Sequence, residues 1–317
     1  MQATDASALS QPAVRPLGRA RPRWGERAIQ GLLFLCAAVS VVTTVCIVVA
    51  LVEPTISFFG EVPIGDFLFG TEWAPLFSPP SFGVLPLITA TLTTTFVALC
   101  VCIPAGLGAA IYLSEYAHPR ARKVLKPVLE ILAGIPTVVY GFFALTFLTP
   151  LLQDVWPGFL GDPPQIFNML AAGLVMGVMI LPTVASLSED ALTAVPQALR
   201  EGAYGMGASK MQVATRIVVP AALSGIVASF VLGISRAVGE TMIVLVAAGG
   251  TPNLSFIPTE PGQTMTAFIA AAGIGDQPTG SVGYKTLFAV GSTLFVATLL
   301  MNVLSIRLVR KYREVYE

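Results

Sequence analysis

Charged residues are scarce in this 317-residue chain. They make up 11% of the sequence, whereas a soluble domain carries about 25%. Hydrophobic residues make up 55%, and the mean hydropathy is +0.78. The composition therefore disfavours a water-soluble globular fold and predicts an all-α, polytopic membrane protein.

Metal-binding and nucleophilic residues are also few. His118 is the only histidine, and Cys36, Cys46, Cys100 and Cys102 stand in apolar runs without a CxxC pair. We interpret the cysteines as buried small apolar residues rather than as a disulfide framework or a metal site. The sequence also lacks the phosphate-binding pattern G-x-x-x-x-G-K-[ST]. We therefore expect a chain that is not an enzyme, with no cofactor of its own.

Six apolar runs are long enough to cross a bilayer as helices, which takes about 20 residues each. Pro104 and Pro136 fall in the second and third runs, where they predict a kink or an irregular backbone. The runs lie at about residues 29–51, 84–113, 128–152, 167–187, 221–248 and 286–306.

The basic residues predict the orientation of these helices. All Lys and Arg except Arg236 and Lys285 precede the first run, follow the sixth, or lie between runs two and three or four and five. Cytoplasmic loops carry the excess of Lys and Arg, so we expect both termini in the cytoplasm. The remaining loops, 52–83, 153–166 and 249–284, are then outside.

The basic segment before the first run has two interpretations. A basic stretch followed by an apolar run also occurs in cleaved signal peptides. This run is about 23 residues, too long for such a signal, and no clear A-x-A site ends it. We therefore expect an anchoring helix, preceded by a disordered cytoplasmic tail at residues 1–24.

The loop between the fourth and fifth runs is unlike a simple connector. Pro196 suits the first turn of a helix, and Gly205 and Gly207 indicate a turn. A second helical stretch is predicted from about Ala208 to Val218. This hairpin could lie on lipid headgroups or dock to a protein, and composition leaves both possibilities open.

This loop resembles the EAA signature of the permease subunits of bacterial ATP-binding-cassette importers, which reads E-A-A, three residues, G, nine residues, I-x-L-P. The chain departs from it only by Gly in place of the middle Ala and Val in place of Leu. The resemblance implies a coupling helix that fits a groove on an ATPase subunit. The residues that match the signature positions are Glu201, Gly202, Ala203, Gly207, Ile217 and Pro220.

Three further stretches are similar to the permeases of phosphate-specific importers, and most of all to those of the PstC type. They are LAGIPTVVYGFFAL, GISRAVGETMIVLVAAG and QTMTAFIA, which begin at Leu132, Gly233 and Gln263. The resemblance covers roughly residues 85–310. It implies a type I importer (MetI-like) permease in a bacterial inner membrane that imports inorganic phosphate.

The resemblance also implies partners and a domain division. We expect a second, PstA-like permease, two ATPase subunits that bind Mg-ATP, and an extracytoplasmic phosphate-binding protein, all surrounded by membrane lipid, with no nucleic acid. The expected segments are the tail 1–24, the first helix and outer loop 25–83, the permease domain 84–310 with its coupling loop 187–219, and the tail 311–317.

Arg236 and Glu240 lie inside the fifth apolar run, where each charge costs about 2.5–3.5 kcal/mol. Residues four apart share one helix face, so both side chains can point into the protein. One interpretation is an anion pathway in which the guanidinium binds the anion and the carboxylate competes for the same Arg. The other is a buried ion pair that fixes helix packing. The resemblance favours the pathway, because the phosphate permeases have a matching charged pair.

Other polar and small residues give weaker indications. Thr137 and Tyr140 beside Pro136 are candidates to line the pathway with hydroxyl donors, although such groups more often bond to backbone. Glu130 is expected to form a solvated pair with Lys126 rather than to serve in a proton relay. The pattern Gly173-x-x-x-Gly177 predicts a close helix approach and is a candidate contact with a sister permease.

Three other classes of protein stay open at this point. A secondary anion transporter would need ion-coupling carboxylates deep in several helices, and Glu240 is the only clear one. A permease of the same fold for sulfate or molybdate would have the same Arg. A non-transporting scaffold is disfavoured by the charged pair but not excluded.

Overall fold

The computed structural model describes residues 24–311. The predicted tails, 1–24 and 311–317, therefore lie outside the described residues except for Trp24 and Lys311. Packing divides the chain into one unit that ends at Ala50 and another that begins at Leu51. The domain boundaries expected from the sequence stay predictions.

Helices dominate both units. Helix α1 spans Trp24–Phe59. Strands β1, Trp73–Ala74, and β2, Ser81–Phe82, form a small antiparallel ribbon in the loop that follows. The other α-helices are α2, Ile64–Phe69; α3, Leu85–Ile111; α4, Pro119–Ala133; α5, Thr137–Phe143; α6, Thr149–Asp154; α7, Met169–Thr193; α8, Gln197–Gly205; α9, Lys210–Val213; α10, Val219–Ala221; α11, Leu223–Val238; α12, Met242–Ala247; α13, Met265–Ile274; and α14, Val282–Lys311.

The six-span prediction agrees with the structure when two bent helix pairs are each counted as one span. In one pair, Pro119–Ala133 and Thr137–Asp154 meet at 87°, and in the other, Lys210–Ala221 and Leu223–Val238 meet at 72°. The first bend confirms the break expected at Pro136, because the residue before a proline is disfavoured in helical conformation. Among residues 24–311, four helices are long and apolar enough to cross alone: Gly25–Phe59, Leu85–Tyr116, Met169–Thr193 and Val282–Arg307.

The prediction of one helix through the fifth apolar run is wrong. Helix α11 ends at Val238, and α12 begins at Met242. Gly239 sits at the end of α11, where a glycine ends a helix at little cost because it stabilises the helical state poorly. Arg236 is consequently in α11 while Glu240 lies in the break that follows, so the two do not share one helix face.

Helix α7 is the centre of the main core and packs closely along α3. A Cβ atom at Gly173 would lie 2.7 Å from Cβ of Val97, and one at Gly177 would lie 2.7 Å from the carbonyl oxygen of Ala98. The glycines therefore allow the close approach that was predicted. The surface they contact is α3 of the same chain, which corrects their assignment to a sister permease.

The interpretation of the cysteines as buried is correct for one of them. Cys102 is buried, whereas Cys36, Cys46 and Cys100 are exposed, and all four are free thiols. An apolar run predicts only that its side chains avoid water. In a membrane protein an apolar side chain avoids water equally well against lipid, so hydropathy alone does not separate core from surface.

Candidate substrate pathway and coupling surface

Arg236 lies in the last turn of α11. Its side chain is exposed on this chain, and its Nη1 donates to Oγ1 of Thr183 in α7 at 3.3 Å. Among the ion pairs formed by residues 24–311, none includes Arg236. The guanidinium thus retains most of its five donors for another acceptor.

Glu240 lies in the break after α11 and is 9% exposed. Its Oε1 accepts from the backbone N–H groups of Met242 and Ile243 at 3.1 and 3.2 Å. The hydroxyl of Thr266 donates to its backbone oxygen at 2.6 Å. A carboxylate in this position satisfies the free N–H groups at the start of α12. The expected pairing of Glu240 with Arg236 is not seen in the described part of the chain.

Thr183, the partner of Arg236, also lines a cavity of about 330 Å³ between α4, α7 and α11. Lys126 and Glu130 of α4 and Glu189 of α7 contribute charged groups to the same cavity. Through Thr183, Arg236 therefore lies near an opening that is lined mainly by apolar side chains and also by three charged ones. An anion that left Arg236 for this cavity would meet both signs of charge.

Thr137 and Tyr140 lie on α5, which packs tightly against α12. A Cβ at Gly141 would be 3.0 Å from Cβ of Val246. The Tyr140 hydroxyl donates to the backbone oxygen of Leu132 at 2.8 Å, and the ring is 7% exposed. Tyr140 thus makes the backbone bond that was the alternative to a role in the pathway. Thr137 is half-buried, and neither residue has a recorded hydrogen bond to Arg236 in the described chain.

A buried acidic residue that the sequence did not indicate joins α4 to α7. Glu189 is 0% exposed and binds both Arg122 and Lys126, the latter at 2.9 Å between Oε2 and Nζ. Lys126 also reaches Asp190 at 3.3 Å. The expected Lys126–Glu130 pair is therefore wrong, because Lys126 bonds to the carboxylates of α7 instead. A glutamate followed by an aspartate at the end of an apolar run was the only sequence signal.

The coupling loop has the predicted hairpin form. Helix α8 is followed by a turn at Gly207, whose φ of +85° lies in the region that favours glycine. Ser209 and Gln212 then form a reciprocal capping box at the start of α9. The chain continues through a π-helical turn, Ala214–Val218, into α10.

The signature residues divide into an inner and an outer set. Ala203 is 1% exposed and packs in a cluster with Val213, Val218 and Leu192, while Ile217 is half-buried beside it. Glu201, Gly202, Gly207 and Pro220 are exposed.

Large apolar side chains add to the outer face of the hairpin. Met206 is 84% exposed, and Met211 is 68% exposed. Exposed apolar side chains of this size suit a contact with another protein or with the lipid surface.

Arg200 of α8 makes a long-range contact that the sequence does not indicate. Its side chain is 11% exposed and forms an ion pair with Glu115, at 3.1 Å between Nη2 and Oε1. Glu115 is 85 residues away in the sequence, which is why no local pattern indicates the pair.

Comparison with known proteins gives one family and many similar permeases. Residues 102–314 match the family described as binding-protein-dependent transport system inner membrane component. The chain is 37% identical over 283 residues to the probable ABC transporter permease protein YqgH of Bacillus subtilis, covering 88% of this chain and 89% of that protein. It is 32% identical over 265 residues to the phosphate transport system permease protein PstC of Xylella fastidiosa, covering 78% and 80%. It is 37% identical over 248 residues to PstC 1 of Mycobacterium tuberculosis, covering 73% of each.

Solved structures support the fold. A chain of a bacterial alginate ABC transporter superposes with a TM-score of 0.63 at 16% identity, covering 92% of this chain and 98% of that one. A chain of the inward-facing MetNI methionine ABC transporter gives 0.53 at 21% identity, covering 73% and 95%. At these identities the likeness concerns the arrangement of helices alone.

Proposed function

The chain belongs to the family of binding-protein-dependent transport system inner membrane components, and we propose that it is a permease subunit through which an ATP-driven importer moves inorganic phosphate into a bacterial cell. The choice of phosphate is supported by relatives named as phosphate transport permeases, which align with about three quarters of the chain. A permease provides a route and binds its cargo on the way, so no bond of the cargo has to be broken.

Arg236 is the observation that supports an anion as cargo. A guanidinium in a membrane-crossing segment is costly unless a partner or water satisfies it, and here its hydrogen bond goes to the neutral Thr183. A phosphate oxygen pair matches the forked donors of arginine. We therefore assign Arg236 as the residue that binds the anion, with Thr183 holding the guanidinium at the cavity edge.

The roles of the other candidate residues follow from their positions. Glu240 caps α12 and fixes the break that follows Arg236, so its role is positioning. Tyr140 ties α5 to the end of α4 through Leu132. Thr137 remains a candidate lining residue on α5.

The partners follow from the absence of a phosphate-binding loop in the sequence and from the family. An ATPase pair that binds Mg-ATP supplies the energy and docks on the hairpin, at the face that bears Glu201, Gly207 and Met206. An extracytoplasmic binding protein delivers phosphate, and a second permease of the PstA type completes the route. Both termini and the hairpin are cytoplasmic in this arrangement.

Reconstitution in vesicles with these partners tests the proposal. We expect uptake of phosphate that needs ATP, resists a protonophore and exceeds uptake of sulfate in the same vesicles. Uptake that stops with the protonophore and continues without ATP would indicate a secondary transporter. A preference for sulfate or molybdate would show that the chain is an importer permease whose cargo is not phosphate.

A further inference from the structure

Arg200 of α8 has its guanidinium almost fully satisfied inside the protein. Its Nη2 and Nε donate to Oε1 of Glu115 at 3.1 and 3.3 Å. The side chains of Arg200 and Glu115 are 11% and 6% exposed. Because water and salt screen a buried pair only weakly, this contact holds its geometry better than a surface ion pair.

The same guanidinium also binds the end of α7. Nη2 donates to the backbone oxygen of Leu192 at 2.8 Å, and Nη1 donates to the backbone oxygen of Val195. The last carbonyls of a helix lack partners within the helix, and a cation is favourable at that end. One side chain thus joins the coupling hairpin, the π-helical turn after α3 that contains Glu115, and the carboxyl end of α7.

The other contacts between the hairpin and these helices are less directional, so they fix the position of the hairpin less firmly. Ala203, Val213 and Val218 pack in an apolar cluster, and such contacts have no preferred direction. Lys210 lies over the ring of Tyr116 at 5.0 Å, at an exposed position. Among the ion pairs between described residues, Arg200–Glu115 alone connects the hairpin to the rest of the chain.

Helix α7 extends from this contact to the candidate pathway without a break. It carries Glu189, which binds two cations of α4, and Thr183, which accepts from Arg236. A displacement applied at its carboxyl end therefore reaches the contacts of both α4 and Arg236, because an unbroken helix moves largely as one body.

We propose that Arg200, held in place by Glu115, transmits movement of the coupling hairpin into α7 through its bonds to the backbone oxygens of Leu192 and Val195, and through α7 to the site of Arg236. The pair is a positioning device, since neither residue touches the anion or lies on the exposed face of the hairpin. The inference rests on the proposed function, and it adds the route by which ATP hydrolysis on the partner would change the pathway.

Uptake per ATP hydrolysed in the reconstituted complex tests this inference. For Arg200→Gln and Glu115→Gln we expect the ATPase to remain bound and active while transport per ATP falls at least about fivefold, the lower end of ordinary coupling between sites. Arg120→Gln, which removes an exposed cation outside the hairpin, is the matched control and should leave the ratio within twofold.

Two outcomes would overturn the inference, and a third would overturn only the proposed cargo. A ratio that stays within twofold of the parent in both variants would overturn the inference. Loss of the bound ATPase or a parallel fall of hydrolysis and uptake in both would also overturn it, because the pair would then only maintain the hairpin's shape. If the parent complex transports sulfate rather than phosphate, the proposed cargo fails, and the ratio measured with sulfate still tests Arg200.

Discussion

Arg200 and Arg236 differ in how far the protein satisfies their guanidinium groups. Arg200 has four hydrogen bonds to one carboxylate and two carbonyls, and its side chain is 11% exposed. Within the described chain, Arg236 makes one side-chain hydrogen bond, 3.3 Å long, to the hydroxyl of Thr183, and its side chain is exposed. A saturated guanidinium fixes its surroundings, whereas an unsaturated one can bind an incoming anion.

Two glutamates near these sites also differ in the groups that they bind. Glu189 binds two cations and ties α4 to α7, while Glu240 binds two backbone N–H groups and starts α12. Neither carboxylate forms an ion pair with Arg236 in the described structure. Arg236 and Glu240 are therefore the two charges in this group without a charged partner in the described chain, and Arg236 is the cation of the two.

Removal of the Arg236 charge should have the largest effect on transport. We expect Arg236→Gln to lower uptake about 10- to 100-fold, since a hydrogen bond to a charged group contributes about 1.5–3 kcal/mol. Insertion and the amount of bound ATPase should stay normal, as measured by copurification. Normal uptake by this variant would remove Arg236 from the pathway.

Lysine at the two arginine positions separates the effect of charge from the effect of side-chain geometry at Arg236 and Arg200. Arg236→Lys should recover part of the uptake because a cation remains to attract the anion. Arg200→Lys should recover little, because a shorter ammonium group cannot reproduce the forked contacts to Glu115 and two carbonyls. Equal recovery at both positions would mean that charge, not geometry, matters at Arg200.

Substitution of two glycines in the hairpin should have the next largest effect, which is on binding of the ATPase. Gly207 has a φ of +85° with open space around it, and Gly202 lies in α8 with open space and an ordinary φ. Gly207→Ala should weaken ATPase binding by about 5- to 30-fold, because a left-handed conformation costs an L-residue about 1–2 kcal/mol. Gly202→Ala should leave binding unchanged or strengthen it, since Ala favours a helix by about 1 kcal/mol over Gly. Pull-down of the ATPase at limiting concentration measures both, and equal results would show that the turn geometry is not required.

The sequence predicted the features that local chemistry decides. Six apolar runs, the bend at Pro136, the hairpin and its turn at Gly207 all follow from hydropathy, proline and glycine within a few residues. The structure agrees with six spans when each bent pair is counted as one, and with the bend, the hairpin and the turn, but it breaks the fifth run after Val238. The matching EAA pattern then indicated which importer family to expect.

The remaining features depend on partners distant in the sequence. Glu115 is 85 residues from Arg200, and Arg122 is 67 residues from Glu189, so no spacing rule indicates these pairs. Glu240, inside the break, binds a backbone N–H group of the next helix, and the Thr266 hydroxyl binds its backbone oxygen. An apolar window that contains Gly239 predicts only that a helix is possible there.

Substitution of Glu240 by Gln should have the smallest effect on uptake, and it tests directly which role Glu240 has. As a helix cap it needs an acceptor oxygen but no charge, so Glu240→Gln should keep both hydrogen bonds to α12 and leave uptake within about twofold. Glu240→Ala loses the cap and should lower the thermal unfolding midpoint through a loss of about 0.5–2 kcal/mol. If the carboxylate instead competes with phosphate for Arg236, removal of its charge alone would change uptake severalfold. Uptake by the Gln variant therefore shows whether Glu240 caps α12 or competes with phosphate for Arg236. The Ala variant is the control that loss of the hydrogen bonds at this position has a measurable effect.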